Sequence, residues 1–153
     1  MFRPYGNRPR AGFAATESVL VLPVLSAVIL GTVIGGYGIF RYQQIALLAR
    51  EGARYASVHG TQYAQEQNVT APTPNQIFNN FIVPLAVGFD TTQMGYSITY
   101  NASNAPYYTV LDSNNNVVPV QNTVTVTLTY LWLPEWCLGG ITLSSTSVMP
   151  MTY

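Results

Sequence analysis

The sequence predicts an α+β protein in which a long N-terminal helix, half transmembrane and half scaffold, packs on a small antiparallel sheet. Three observations carry this. Residues 18–40 contain no charged side chain and consist mostly of Val, Leu, Ile, Ala and Gly. No proline then interrupts the chain between Val24 and Ala71, so the helix has room to continue. Beyond about residue 95 the pattern changes to period-two alternation, the mark of half-buried strands.

The uncharged stretch is long enough to cross a bilayer, which takes about 20 apolar residues. A chain of 153 residues has too little interior to bury such a helix on every side, which argues against a core helix. A secretory signal peptide is the other alternative. Its apolar region is shorter, about 7–15 residues, and ends at a small-x-small site. Here the run is longer, the nearest such site is Gly36-Tyr37-Gly38, and a carboxylate, Glu17, opens the run. A membrane span over about 18–40 is therefore expected.

Composition agrees and removes several function classes. The chain is 48% hydrophobic and only 8% charged, with no net charge and a mean hydropathy of +0.20; soluble domains carry about 25% charged residues. There is no lysine, and the cations Arg3, Arg8, Arg10, Arg41, Arg50 and Arg54 all precede residue 55. Nothing later in the chain can neutralise phosphates, so no nucleic-acid partner is expected. Cys137 is the single cysteine, which excludes an intrachain disulfide framework or a Cys-rich zinc site; burial beside Trp136 and Leu138 is its expected fate.

The membrane entry reads Arg8-Pro9-Arg10-Ala11-Gly12-Phe13-Ala14-Ala15-Thr16-Glu17. Three arginines without an acid favour a cytoplasmic N-terminus, although Arg41, Arg50 and Arg54 balance them on the far side. A cut between Gly12 and Phe13 would make Glu17 the fifth residue of the mature chain. That layout resembles the type III leader of type IV pilins and pseudopilins, a basic leader with Gly at the cut and Glu at the fifth mature position before an apolar helix. A carboxylate at the edge of such a helix is costly unless paired. The α-amino group created by cleavage on a neighbouring subunit would supply the pair and fix axial register. Otherwise Glu17 simply snorkels to the interface.

Gly12-Phe-Ala-Ala-Thr-Glu17, Val19-Leu-Val-Leu-Pro23 and Ala49-Arg-Glu-Gly-Ala-Arg-Tyr-Ala56 together resemble the TadE-like family, over about residues 8–58. Ser18 stands where that family commonly has an aromatic. The resemblance implies a pilin-like minor component of the tight-adherence (Flp) pilus, processed by a prepilin peptidase. Its implied partners are the membrane, other pilin-like subunits and the pilus assembly machinery. The implied location is the bacterial inner membrane in a single pass, with the N-terminus cytoplasmic and the C-terminal domain exported.

On this reading residues 1–12 are a leader, 13–59 a long helix, and 60–153 an exported α+β domain. The helix is expected to start near Ala14 and end near His59, with Gly60 as its C-terminal cap. Pro23 can kink it and Gly35-Gly36 can bend it. Gly31 and Gly35 form a G-x-x-x-G face suited to close helix packing in membranes. Ile45, Leu48, Gly52 and Tyr55 recur at helical spacing and supply a face for the sheet. Thr73 and Pro74 can open a second short helix over 75–86 that buries Ile77, Phe78, Phe81 and Ile82.

Strands are expected over 95–101, 107–111, 117–120, 122–133 and 141–149. The fourth places Val124, Val126, Leu128, Tyr130 and Trp132 on one face and Thr123, Thr125, Thr127 and Thr129 on the other. Pro134 stops it.

No catalytic constellation or cofactor motif is visible, so the chain reads as no enzyme, with no cofactor and no metal site. Past Gly60 the charges are Glu66, Asp90, Asp112 and Glu135, far apart in sequence. Asp112-Ser-Asn-Asn-Asn116 imitates the start of a calcium loop, but Val117 and Thr123 replace the required Gly and Glu; a hairpin turn is the expectation. His59 is expected at the surface or as a cap. Two readings remain, a pilus assembly subunit and a membrane-anchored extracytoplasmic binding or adhesion module outside any pilus. Removal of the leader separates them.

Overall fold

The computed structural model describes residues 11–133 and 139–153. Helix α1 (Ala11–Val58, 48 residues) passes through Pro23 without ending there. The chain divides into two compact units between Tyr37 and Gly38. In the first, residues 16–36 of α1 are almost wholly exposed, and the apolar window that qualifies as a candidate membrane span has 0% of its surface buried. That pattern is what an apolar helix needs when its solvent is lipid rather than protein.

The second unit is α+β. The remainder of α1 lays Ile45, Leu48, Ala49, Ala53 and Ala56 on the sheet, where they join Val124, Val126 and Leu128 in one core. After α1 the chain forms α2 (Thr61–Gln67), α3 (Pro74–Ile77), a π-helical turn (Phe78–Ile82), α4 (Val83–Leu85) and a 3₁₀ turn (Thr91–Gln93). Strands β1 (Met94–Tyr100), β2 (Tyr107–Leu111), β3 (Val117–Gln121), β4 (Thr123–Trp132) and β5 (Ile141–Pro150) follow. They make a three-stranded antiparallel sheet of order β1-β4-β5 and a separate antiparallel ribbon of β2 and β3.

All five expected strands are present with boundaries within two residues. Central β4 alternates as its sequence requires: Val124, Val126, Leu128 and Tyr130 are buried, and the intervening threonines face away. Across it Ile98 pairs with Val126, and Tyr130 pairs with Leu143. The division into two sheets was not legible in the sequence. The ribbon β2–β3 contributes no buried residue.

The second helix starts where expected. Thr73 Oγ1 accepts from the Gln76 amide while Gln76 Oε1 accepts from the Thr73 amide, a reciprocal capping box with Pro74 behind it. It does not continue as a plain α-helix. Pro84 has no N–H to donate, and just before it the Val83 amide reaches back to the Phe78 carbonyl, widening one turn to π geometry. Phe81 is only partly buried, whereas Ile77, Phe78 and Ile82 are core.

One expectation about the end of α1 is corrected. The helix ends at Val58. Gly60 is not a left-handed C-cap: at φ −79° and ψ −165° it is the N-cap of α2, which the sequence reading did not anticipate. Glycine is required there by a close approach, because a Cβ would collide with the Tyr153 carbonyl oxygen. The amides of Thr152 and Tyr153 bond the Ser57 carbonyl at 3.0 and 3.3 Å, so the C-terminal segment clasps the helix end. Buried Asn122 anchors the same corner, donating Nδ2 to the Ala105 carbonyl at 2.8 Å and accepting at its own carbonyl from the Met151 amide at 2.8 Å.

Candidate functional site

Residues 1–10 of the leader, with Arg3, Arg8 and Arg10, lie outside the described residues, as do Cys137 and its neighbours Trp136 and Leu138. Gly12 and Phe13 belong by their backbone to α1. Glu17 follows one turn later and is exposed. Gly31 and Gly35 are exposed as well, and a Cβ at either would meet nothing within 4 Å. Among the described residues, nothing occupies this glycine face.

From Gly38 onward the helix is engaged. At Gly38 a Cβ would lie 2.7 Å from Cζ3 of Trp132, so the indole rests on bare backbone. Arg41 Nη1 donates to the Gly88 carbonyl at 2.7 Å, and the guanidinium lies 4.7 Å from the centre of the Phe89 ring. Phe89 in turn meets Tyr130 edge-on with centroids 4.8 Å apart. The arginine that ends the apolar run is thereby tied to the core through two rings. The sequence marks Arg41 only as a charge boundary, since its partners lie far along the chain.

Glu17 and Val19–Pro23 therefore occupy an exposed part of α1, and Ala49–Ala56 occupy the part seated on the sheet. Comparison with known proteins gives the same segment. Residues 12–54 match the TadE-like protein family. The TadE-like segment starts at Gly12, includes Glu17 and ends inside α1, so it covers the helix and none of the sheet. No curated protein and no solved structure matches the chain significantly.

Beyond the TadE-like segment the sequence missed one feature. Tyr55 stacks on Phe81 at 4.2 Å and on His59 at 3.9 Å, and Tyr63 meets His59 edge-on at 4.6 Å. His59 is half-buried, and its Nδ1 lies 2.8 Å from the Tyr55 carbonyl in the last turn of α1, which is the capping contact expected of it. Its ring borders an open hollow of about 280 Å³ shared with Tyr63, Glu66 and Tyr153. The i, i+4, i+8 spacing of Tyr55, His59 and Tyr63 was the available signal; the break at Gly60 hid it.

The two aspartates serve local turns. Asp112 accepts from the Asn114 and Asn116 amides, both at 2.8 Å, in the β2–β3 turn, with Asn115 at φ 63°. The Asn116 amide foremost holds the Asp112 carboxyl below its ordinary pKa. Asp90 is lowered chiefly by the Thr92 hydroxyl and then the Thr92 amide. The hairpin turn expected at Asp112 is what forms, and its carboxylate is occupied by the chain's own amides.

Proposed function

We propose that this chain is a minor pilin or pseudopilin that inserts in the membrane by its N-terminal helix and takes part in assembly of a tight-adherence pilus. The observation that carries the reading is the coincidence of the TadE-like match with the helix: it starts at Gly12 and ends within α1. In this reading a prepilin peptidase cuts between Gly12 and Phe13. The new amino group of one subunit meets Glu17 of another, and the exposed Gly31 and Gly35 give neighbouring helices a close packing face. The bilayer is the inner membrane, with the leader cytoplasmic and the sheet exported. The role is structural, not enzymatic.

Intact-mass measurement on protein from its native host tests this. A mature chain of residues 13–153 is expected. A chain still carrying Arg8 and Arg10 overturns the pilin-type reading and leaves a membrane-anchored binding module, for which the hollow beside His59 is the candidate surface.

A further inference from the structure

Gly38 is the first residue of the folded unit and belongs to the same helix α1 as the apolar run. The Gly38–Trp132 contact and the Arg41–Gly88 hydrogen bond bring two segments of the fold to that point. One is the turn at residues 86–90. The other is the end of β4, where Trp132 pairs with Ile141, the first residue of β5.

Several of the described aliphatic side chains at this end of the unit are exposed. Val87 is 80% exposed and Leu133 60%, with Leu85, Leu131 and Ile141 also exposed. A Cβ at Gly140 would lie 2.9 Å from Leu131 Cδ1 and 3.1 Å from Leu133 Cδ2, so the two leucines converge on one spot. Among the described residues of this rim, the charged side chains are Arg41 and Asp90. Arg41 bonds Gly88 and covers Phe89; Asp90 accepts from the Thr92 amide and hydroxyl.

We propose that this rim (Val87, Leu131, Leu133 and Ile141) lies in the lipid headgroup–acyl boundary of the bilayer that the helix crosses. The inference rests on reading residues 18–40 as a membrane span and not on the pilus role. The argument for lipid as the occupant is continuity. A span of that length at about 1.5 Å per residue matches a hydrocarbon core of about 30 Å, so its last residues reach the interface. The rim is fastened to those residues by Trp132 and Arg41. An indole and a long cation with an apolar stem are the side chains that favour this depth. Exposed aliphatics beside them gain by leaving water for the acyl boundary.

The test uses the full chain in phosphatidylethanolamine–phosphatidylglycerol vesicles, with Cys137→Ser and one nitroxide-labelled cysteine at a time. The positions are Val87→Cys and Leu133→Cys on the rim, Val117→Cys on the β2–β3 ribbon, and Ile29→Cys in the span. Collision with oxygen and with a water-soluble nickel chelate reports depth. Positions 87 and 133 should favour oxygen and show several-fold less nickel contact than 117, with 29 deepest. If 87 and 133 meet nickel as freely as 117 while 29 stays lipid-buried, the rim is overturned and the span stands. If 29 is also nickel-accessible, the span reading fails and takes the rim with it. Shielding of 87 and 133 from both reagents would mean contact between copies of the chain, which also overturns the proposal.

Discussion

Gly52 and Ile82 meet at the centre of the folded unit. A Cβ on Gly52 would lie 2.8 Å from Ile82 Cδ1 and 3.2 Å from its Cγ1, with Val126 Cγ1 at 3.5 Å. Helix α1, the π-helical turn and central strand β4 thus converge on one missing side chain. A glycine inside a helix costs about 1 kcal/mol relative to alanine. Here the close approach that it permits seats the helix, so the cost is offset by dense packing.

Gly52→Leu should therefore destabilise the folded unit by about 1–3 kcal/mol through overpacking. Thermal melts followed by circular dichroism check this. Adding Ile82→Ala to Gly52→Leu should recover part of the loss, because the two changes share one volume and are not additive. Additive losses in the double variant would contradict the contact.

A truncation beginning at Gln43 should be soluble and folded, since it keeps Ile45, Leu48 and Ala49 on the sheet. One beginning at Thr61 uncovers Val124, Val126 and Leu128. Each buried aliphatic is worth about 1.5–3 kcal/mol, so the shorter chain should melt lower or not fold. Equal melting temperatures would show that α1 is dispensable to the sheet.

Glu17→Gln keeps the side chain's size and removes its charge. Membrane level should hold or rise slightly, because an amide is cheaper to bury than a carboxylate. Leader removal should persist, while pilus assembly in the host should slow or fail for want of the charge that sets register. Normal assembly at matched protein level would reduce Glu17 to an interfacial residue.

Tyr100 gives a pH prediction. Its hydroxyl is buried without a hydrogen-bond partner among the described residues, and burial raises its pKa above the ordinary 10.0. The unfolded chain then releases this proton first. Stability is intact below about pH 10 and falls as pH climbs toward the higher folded pKa. Tyr100→Phe should remove that alkaline loss. It should also raise stability at neutral pH by roughly 1 kcal/mol, because an unsatisfied buried hydroxyl is a cost. Melts of both proteins at pH 7 and above pH 10 decide it.

The local patterns were readable because each is enforced over short distances. The alternation of β4 and the capping box of Thr73 and Gln76 need only neighbouring residues. The charge-free run up to Arg41 is likewise complete within one element. The pilin-type entry is equally local, which explains why Gly12 and Glu17 could be singled out without a fold. Gly60 misled because glycine near a helix end fits either a left-handed cap or a close contact, and only the position of Tyr153 distinguishes them.

The sequence by itself determined the membrane-length helix, the five strands, the faces of β4 and the absence of a cationic surface beyond Arg54. These follow from periodicity and charge, which act along the chain. The tertiary structure alone decided that β2 and β3 leave the main sheet, that Trp132 rests on Gly38, that Arg41 holds Gly88, and that His59 stacks on Tyr55. Most of these join residues dozens of positions apart. Such contacts form because closing a long loop adds little entropy cost per residue, whereas filling the last volume of a core rewards whichever side chain fits.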